Sequence, residues 1–327
     1  MQTVVLEEPG RLALREADRP AAGDGQVAVR IRRVGVCGTD FHAVEGVQPF
    51  FSYPRVLGHE LAGEVDGRPV AVLPYLECGR CQACRRGKPN CCERLSVLGV
   101  HQDGGMTEWL TVPADHVLPA DGLTLDQVVV VEPLSIGAHA VRRAGIEPGE
   151  RVLVLGAGPI GLAVTRFAKL AGAEVAVTDV APARLAFCRE WAGADAVLPM
   201  DATFPDTVAR WAGDRWPTAV FDATGHVGSM NQAPRWTAHG GRVVFVGLVQ
   251  AALTLDDPLL HQRELTLYAS RNATRDDFRR VMDAIAAGAV DADRFISRRA
   301  PLGEVPAVLP TWLKDRADLI KAVVEVA

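Results

Sequence analysis

The stretch Arg151-Val-Leu-Val-Leu-Gly156-Ala-Gly158-Pro159-Ile160-Gly161 decides the fold. After Arg151 the residues up to Leu155 are continuously apolar, as expected of a parallel strand buried on both faces. Three glycines follow in the spacing G-x-G-x-x-G, and a helical stretch then runs to about Ala171. Glu174-Val-Ala-Val-Thr-Asp179 reads as the next strand and ends on an acidic residue. Such glycines allow a tight turn, close approach of the backbone to a pyrophosphate and close helix–strand packing. The helix N-terminus adds unpaired N–H groups and a positive dipole end. Gly156, Gly158, Pro159, Ile160 and Gly161 are therefore expected to cradle a dinucleotide, with Asp179 accepting hydrogen bonds from its ribose. A carboxylate there repels a 2′-phosphate, so NAD is expected over NADP; Arg184 stands near enough in sequence to meet a phosphate.

Outward from this turn, strands and helices alternate. Ala183–Ala192 reads as a helix, and Ala219–Asp222, Arg242–Val246 and Glu264–Ala269 as strands, which predicts a doubly wound parallel sheet. Before about residue 125 the texture differs. Gln26–Val36 alternates apolar and polar residues, and short strand-like pieces recur at Val65–Val72, Val97–Val100 and Trp109–Val112. After residue 270, Asp276–Ala287 reads as an amphipathic helix and Leu319–Val326 as a final strand. The 327 residues fit two domains.

Thirty-five basic residues against 40 acidic ones give a net charge of −5, which argues against nucleic-acid or anionic-membrane partners. The N-terminus lacks a basic segment followed by a long apolar one, and the uncharged stretch between Arg151 and Arg166 is short and carries three glycines. The expected location is the cytoplasm.

Five of the seven cysteines fall between Cys78 and Cys92. Cys78-Gly-Arg-Cys81-Gln-Ala-Cys84 followed by Cys92 has the spacing of a closed tetrahedral zinc site, whose role is structural. Cys91 beside Cys92 leaves the fourth ligand open on spacing alone. A second set lies outside this insert: Cys37-Gly-Thr39-Asp40-Phe-His42, Gly58-His59-Glu60 and Glu132-Pro-Leu-Ser135. A thiolate, an imidazole and carboxylates make the mixed donor set by which catalytic zinc is held. Such a zinc polarises an alcohol oxygen and lowers its pKa, which hydride loss to a nicotinamide requires.

Taken jointly, these motifs resemble the zinc-containing medium-chain dehydrogenase/reductase family over essentially the whole chain. Glu132-Pro-Leu-Ser-Ile-Gly-Ala-His-Ala looks like its polyol (sorbitol) dehydrogenase branch. Gln48–Glu60, Leu98–Gly105 and Ser270–Thr274 look closer still to bacterial gulonate, idonate and galactonate 5-dehydrogenases. The resemblance implies a GroES-like β-rich catalytic domain at 1–133 and 269–327, interrupted by a Rossmann NAD-binding domain at 134–268. It implies two zinc ions per chain. Cys37, His59 and Glu60 would hold the catalytic one, and Cys78, Cys81, Cys84 and Cys92 the structural one. Glu132 would either ligate the catalytic zinc or hold the water beside it.

Thr39 matches the hydroxyl that bonds the substrate oxygen, and His42 the imidazole that passes the proton to solvent, a task suited to a side chain that titrates near neutral pH. Asp40 would orient a ligand. Thr224, Gly247 and Leu248 match segments that pass the nicotinamide, and Arg271 an arginine with a substrate or cofactor role. The implied reaction is reversible, NAD-dependent oxidation of a secondary alcohol of a polyol or sugar acid to a ketone, by a homodimer or homotetramer. Phe50, Phe51 and Trp109 are candidate pocket residues, and His101 reads as structural. One departure from the family is visible: Gly63–Val70 is short, which predicts an abbreviated hairpin after the Gly-His-Glu turn.

Three readings compete with this one. They are a dehydrogenase of threonine or a simple diol, a non-catalytic NAD-binding relative, and a zincless quinone reductase. The ligand set Cys37, His59 and Glu60 and the cysteine insert argue against the last two.

Overall fold

A computed structural model describes residues 1–316 and 319–327. The chain divides into two compact units, Met1–Glu132 with Thr274–Ala327, and Pro133–Ala273.

The first unit is built around the strand Gln26–Val36, the segment with a period of two. Along one edge, its first half pairs antiparallel with Trp109–Pro113 and its second half with Ala322–Glu325. Its other edge takes Glu60–Val65, which continues through Arg68–Val72 to Val117–Pro119. The final strand also pairs in parallel with Arg298–Pro301, completing a seven-stranded sheet. Apolar side chains from these strands, among them Val29, Ile31, Val34, Leu61 and Val324, pack with Phe41, Met106 and Leu309 into one buried cluster. Each large side chain so buried contributes roughly 1.5–3 kcal/mol.

Val65–Val72 is two strands, not one. Asp66 and Gly67 both take positive φ, +50° and +76°, and join Glu60–Val65 to Arg68–Val72 through a two-residue turn. Asp-Gly is the pair such a turn favours, and this turn is the abbreviated hairpin expected from the sequence. Likewise the strand at 97–100 shrinks to Ser96–Val97, paired with Tyr75–Leu76.

The second unit is a six-stranded parallel sheet in the order Ala196–Pro199, Glu174–Asp179, Arg151–Leu155, Ala219–Asp222, Arg242–Phe245, Thr266–Ala269. Arg151–Leu155 has neighbours reached by connections in opposite directions, so the turn after it sits at the switch point where open α/β sheets bind ligands. The helix Pro159–Leu170 begins with Pro at its first position, where no N–H is needed. Pro182–Phe187 is α-helical and Cys188–Ala192 continues it as a π turn, closed by Gly193 at φ +76°. Among the described residues no helix is long and apolar enough to cross a membrane.

Candidate active site and metal centres

Cys37 ends the strand Gln26–Val36 and caps the short helix Gly38–Val44. Asp40, fully buried in that helix, accepts the Cys37 N–H at 2.8 Å through one carboxylate oxygen. Its other oxygen accepts the Gly58 N–H at 3.4 Å and lies 4.0 Å from His59 Nδ1. One carboxylate thus ties the Cys37 turn to the Gly58-His59-Glu60 turn. Ligand atoms of Cys37, His59 and Glu60 all lie within 4.8 Å of one another.

The cluster could hold a cation. His59 Nδ1 and Glu60 Oε2 are buried without a hydrogen-bond partner. Burial opposes a charged imidazole at His59, yet the Cys37 thiol, Asp40 and Glu132 outweigh it and raise the ring's pKa well above its ordinary value. Positive charge is therefore favoured where burial alone would forbid it.

Two further features hold Glu60. Lys321, only 2% exposed, donates from Nζ to Glu60 Oε1 and, at 3.1 Å, to the Val36 carbonyl. Gly35 stands opposite Glu60 in the sheet, and a Cβ there would fall 2.0 Å from Glu60 Oε2. Only glycine leaves room for that oxygen. Neither residue was marked by a motif; the one sequence signal for Lys321 is a lone charge before the apolar run Ala322-Val-Val.

Glu132 is buried beside this cluster but is not among the three residues whose ligand atoms converge. Its Oε1 accepts the hydroxyl of buried Tyr75, and burial pushes its carboxyl up to about 7. The structure therefore brings together the three expected ligands and leaves Glu132, whose part the sequence left open, outside them. Thr39 Oγ1 lies 3.7 Å from Cys37 Sγ, and His42, one turn on, is exposed to solvent.

Cys78, Cys81, Cys84 and Cys92 form the second cluster, with their sulfurs within 4.8 Å. Cys91 is exposed and stands outside it, which resolves the ambiguity left by spacing. Backbone N–H groups of Cys78 and Arg94 point at Cys92 Sγ, both at 3.3 Å, and that of Cys84 at Cys81 Sγ at 3.5 Å. The Arg80 N–H is the main cause that lowers Cys78 to about 6, whereas burial pushes the Cys84 thiol up to about 12. The donor chemistry of four close thiolates fits a closed zinc site.

In the second unit, a Cβ at Gly161 would meet the Gly156 carbonyl oxygen at 1.8 Å, so the turn closes only with glycine. Asp179 accepts the N–H groups of Ala157 at 2.7 Å and Ala181 at 2.8 Å, which fixes its carboxylate at the end of its strand. Arg184 Nη1 would stand 4.0 Å from a Cβ on Gly158, close to the glycine turn. Thr224 donates to buried Asp222 at 2.7 Å, and Leu248 is 69% exposed. Gly247 packs on the Gly225 backbone, and Arg271 is exposed.

The aromatic candidates divide. Phe50 is exposed and stacks on His101, whose Nδ1 accepts the Val97 N–H at 3.1 Å, a structural bond. Phe51 packs against the first unit's core, and Trp109 lies under the Arg19 guanidinium.

The pattern of the alcohol dehydrogenase GroES-like domain matches residues 23–122, and that of the zinc-binding dehydrogenase matches residues 159–287. L-galactonate-5-dehydrogenase of Escherichia coli K12 is 43% identical, over 99% of this chain and 98% of that protein. The chain belongs to the zinc-binding dehydrogenases. Another curated relative of this zinc-binding dehydrogenase is 2-dehydro-3-deoxy-L-galactonate 5-dehydrogenase of Pseudoalteromonas atlantica, 34% identical over 86% of each chain. Among solved structures, the alcohol dehydrogenase RspB of Escherichia coli CFT073, in complex with NADH, superposes with a TM-score of 0.94 at 29% identity over 99% of both chains.

Proposed function

We propose that this zinc-binding dehydrogenase reversibly oxidises a secondary alcohol of a sugar acid or polyol to the ketone, with NAD as hydride acceptor. The observation that carries the reading is the buried Cys37, His59 and Glu60 cluster with its unpartnered His59 Nδ1 and Glu60 Oε2. When bound, zinc there supplies Lewis acidity toward the alcohol oxygen. Cys37, His59 and Glu60 would hold it, and Asp40, Gly35 and Lys321 keep those three in place. Thr39 receives the alcohol hydroxyl by hydrogen bond, and His42, on the solvent side of the same helix, takes the proton outward.

The oxidation removes one hydride, which bound NAD would accept, and one proton, which Thr39 and His42 would carry away from the O–H. In the second unit, Gly156, Gly158, Pro159, Ile160 and Gly161 would cradle the pyrophosphate and Asp179 would bind the ribose, which would favour NAD over NADP; Arg184 flanks the turn. Thr224, Gly247 and Leu248 would pass the nicotinamide. Arg271 would bring a guanidinium fork suited to a carboxylate or polyhydroxyl ligand.

Cys78, Cys81, Cys84 and Cys92 would hold a second, structural zinc. The similarity to L-galactonate-5-dehydrogenase supports an aldonate of the galactonate type as substrate. Seven cysteines outside any disulfide suit a reducing compartment, and we assign the cytoplasm. A homodimer or homotetramer is the expected assembly, which light scattering on the purified chain reports.

The test is NADH formation across L-galactonate, other aldonates, sorbitol, butanediol and threonine. The proposal expects the highest kcat/KM among the aldonates. Turnover of threonine or butanediol alone would contradict it.

A further inference from the structure

Glu60 and Glu132 are both buried, their charges act on one another, and each has one oxygen engaged by a buried donor from a distant part of the chain. The outcomes differ. Lys321 leaves Glu60 Oε2 unpartnered, and Glu60 stays within the converging cluster. Tyr75 engages Glu132, which stays out of the cluster.

The phenol is in a position to restrain its partner. Tyr75 is 4% exposed, and its ring meets the edge of Phe278 at 6.3 Å and 88°. Its backbone pairs with Val97, and its carbonyl lies 3.2 Å from His116 Nε2. His116 is itself held by Asp115 at 2.8 Å and by Glu77 at 3.1 Å. A hydroxyl donating to a carboxylate is among the stronger hydrogen bonds, and this one is formed away from water.

We propose that Tyr75 is a positioning residue: its phenol holds Glu132 aside from Cys37, His59 and Glu60, so that Glu132 acts as a hydrogen-bonding group beside the site and not as a fourth protein ligand. This rests on the reading of that cluster as a metal site. It leaves the cluster three protein ligands, the number that catalytic zinc sites use.

The test uses the full chain loaded with Co²⁺ and with Zn²⁺. Tyr75→Phe frees Glu132 to join the cluster. The visible cobalt spectrum should change, zinc release to a chromogenic chelator should slow, and kcat/KM should fall by about 10-fold or more, the scale on which partners of metal ligands act. In a Glu132→Gln background the same substitution should leave the spectrum and the release rate unmoved. Glu132→Gln alone keeps an acceptor for the phenol and should retain the parent's zinc content, which gives a second test should Tyr75→Phe fail to fold.

A parental spectrum and release rate in Tyr75→Phe, or zinc loss in Glu132→Gln, would overturn the proposal. A parent chain with no thiolate-to-cobalt absorption dependent on Cys37 would instead defeat the metal-site reading beneath it.

Discussion

Lys321 shows how far a single side chain can act from its place in the sequence. It lies 261 positions after Glu60, yet its ammonium is buried against that carboxylate. Burial opposes the charge, and Glu60 and Cys37 outweigh it, raising the Lys321 pKa. Removing one partner of a buried pair strands the other, at a cost of about 3–5 kcal/mol. Lys321→Met should therefore lower the denaturation midpoint and release the metal of the Cys37 cluster, while Lys321→Arg retains part of both. Chemical denaturation with metal analysis checks this; unchanged stability and metal content in Lys321→Met would contradict it. The motif residues Cys37, His59 and Glu60 were legible in the sequence because their chemistry is local in type and spacing. Gly35, Tyr75 and Lys321 were not, because their roles arise only when strands far apart in sequence are paired.

At the scale of elements, the strands Gln26–Val36, Arg151–Leu155, Glu174–Asp179 and Ala219–Asp222 form where the apolar patterns place them. The misses have physical causes. Apolar residues on either side of Asp66-Gly67 let Val65–Val72 read as one strand-like piece, although the shortness of Gly63–Val70 already marked a hairpin there. The helix Val131–Ala144, which carries Glu132, begins in a run of valines with Pro133 in its first turn, a start that looks like a strand.

The strands Arg151–Leu155 and Arg242–Phe245 are tied at their N-terminal ends by Glu150, which accepts from Arg242 Nη2 at 2.6 and 2.9 Å and from Thr218. Burial raises the Glu150 pKa, but these donors outweigh it and hold it below 4.5. A lowered carboxylate pKa stabilises the fold above the unfolded value, and the gain fades as pH falls through the folded one. Glu150→Gln should thus unfold at a lower temperature than the parent near neutral pH, with the gap closing as pH drops below about 4.5. A gap independent of pH would assign the effect to packing.

For the whole molecule, the same chain opens and closes the first unit, since Ala322–Glu325 pairs with Gln26–Val36. The second unit is a continuous segment with its own sheet and core. The doubly wound half was readable from its alternating elements, whereas the seven-stranded sheet rests on pairings that composition and periodicity do not encode. The two groups of candidate metal ligands have different chemistry, four thiols in one and a mixed set in the other, and on the proposed function the first would hold a structural ion and the second a reactive one. The most direct measurement is NADH formation from L-galactonate alongside zinc per chain, in the parent and in Cys37→Ala. The account predicts two zinc ions and turnover in the parent, and one zinc ion with no turnover in the variant. Full turnover with both ions retained in Cys37→Ala would contradict it.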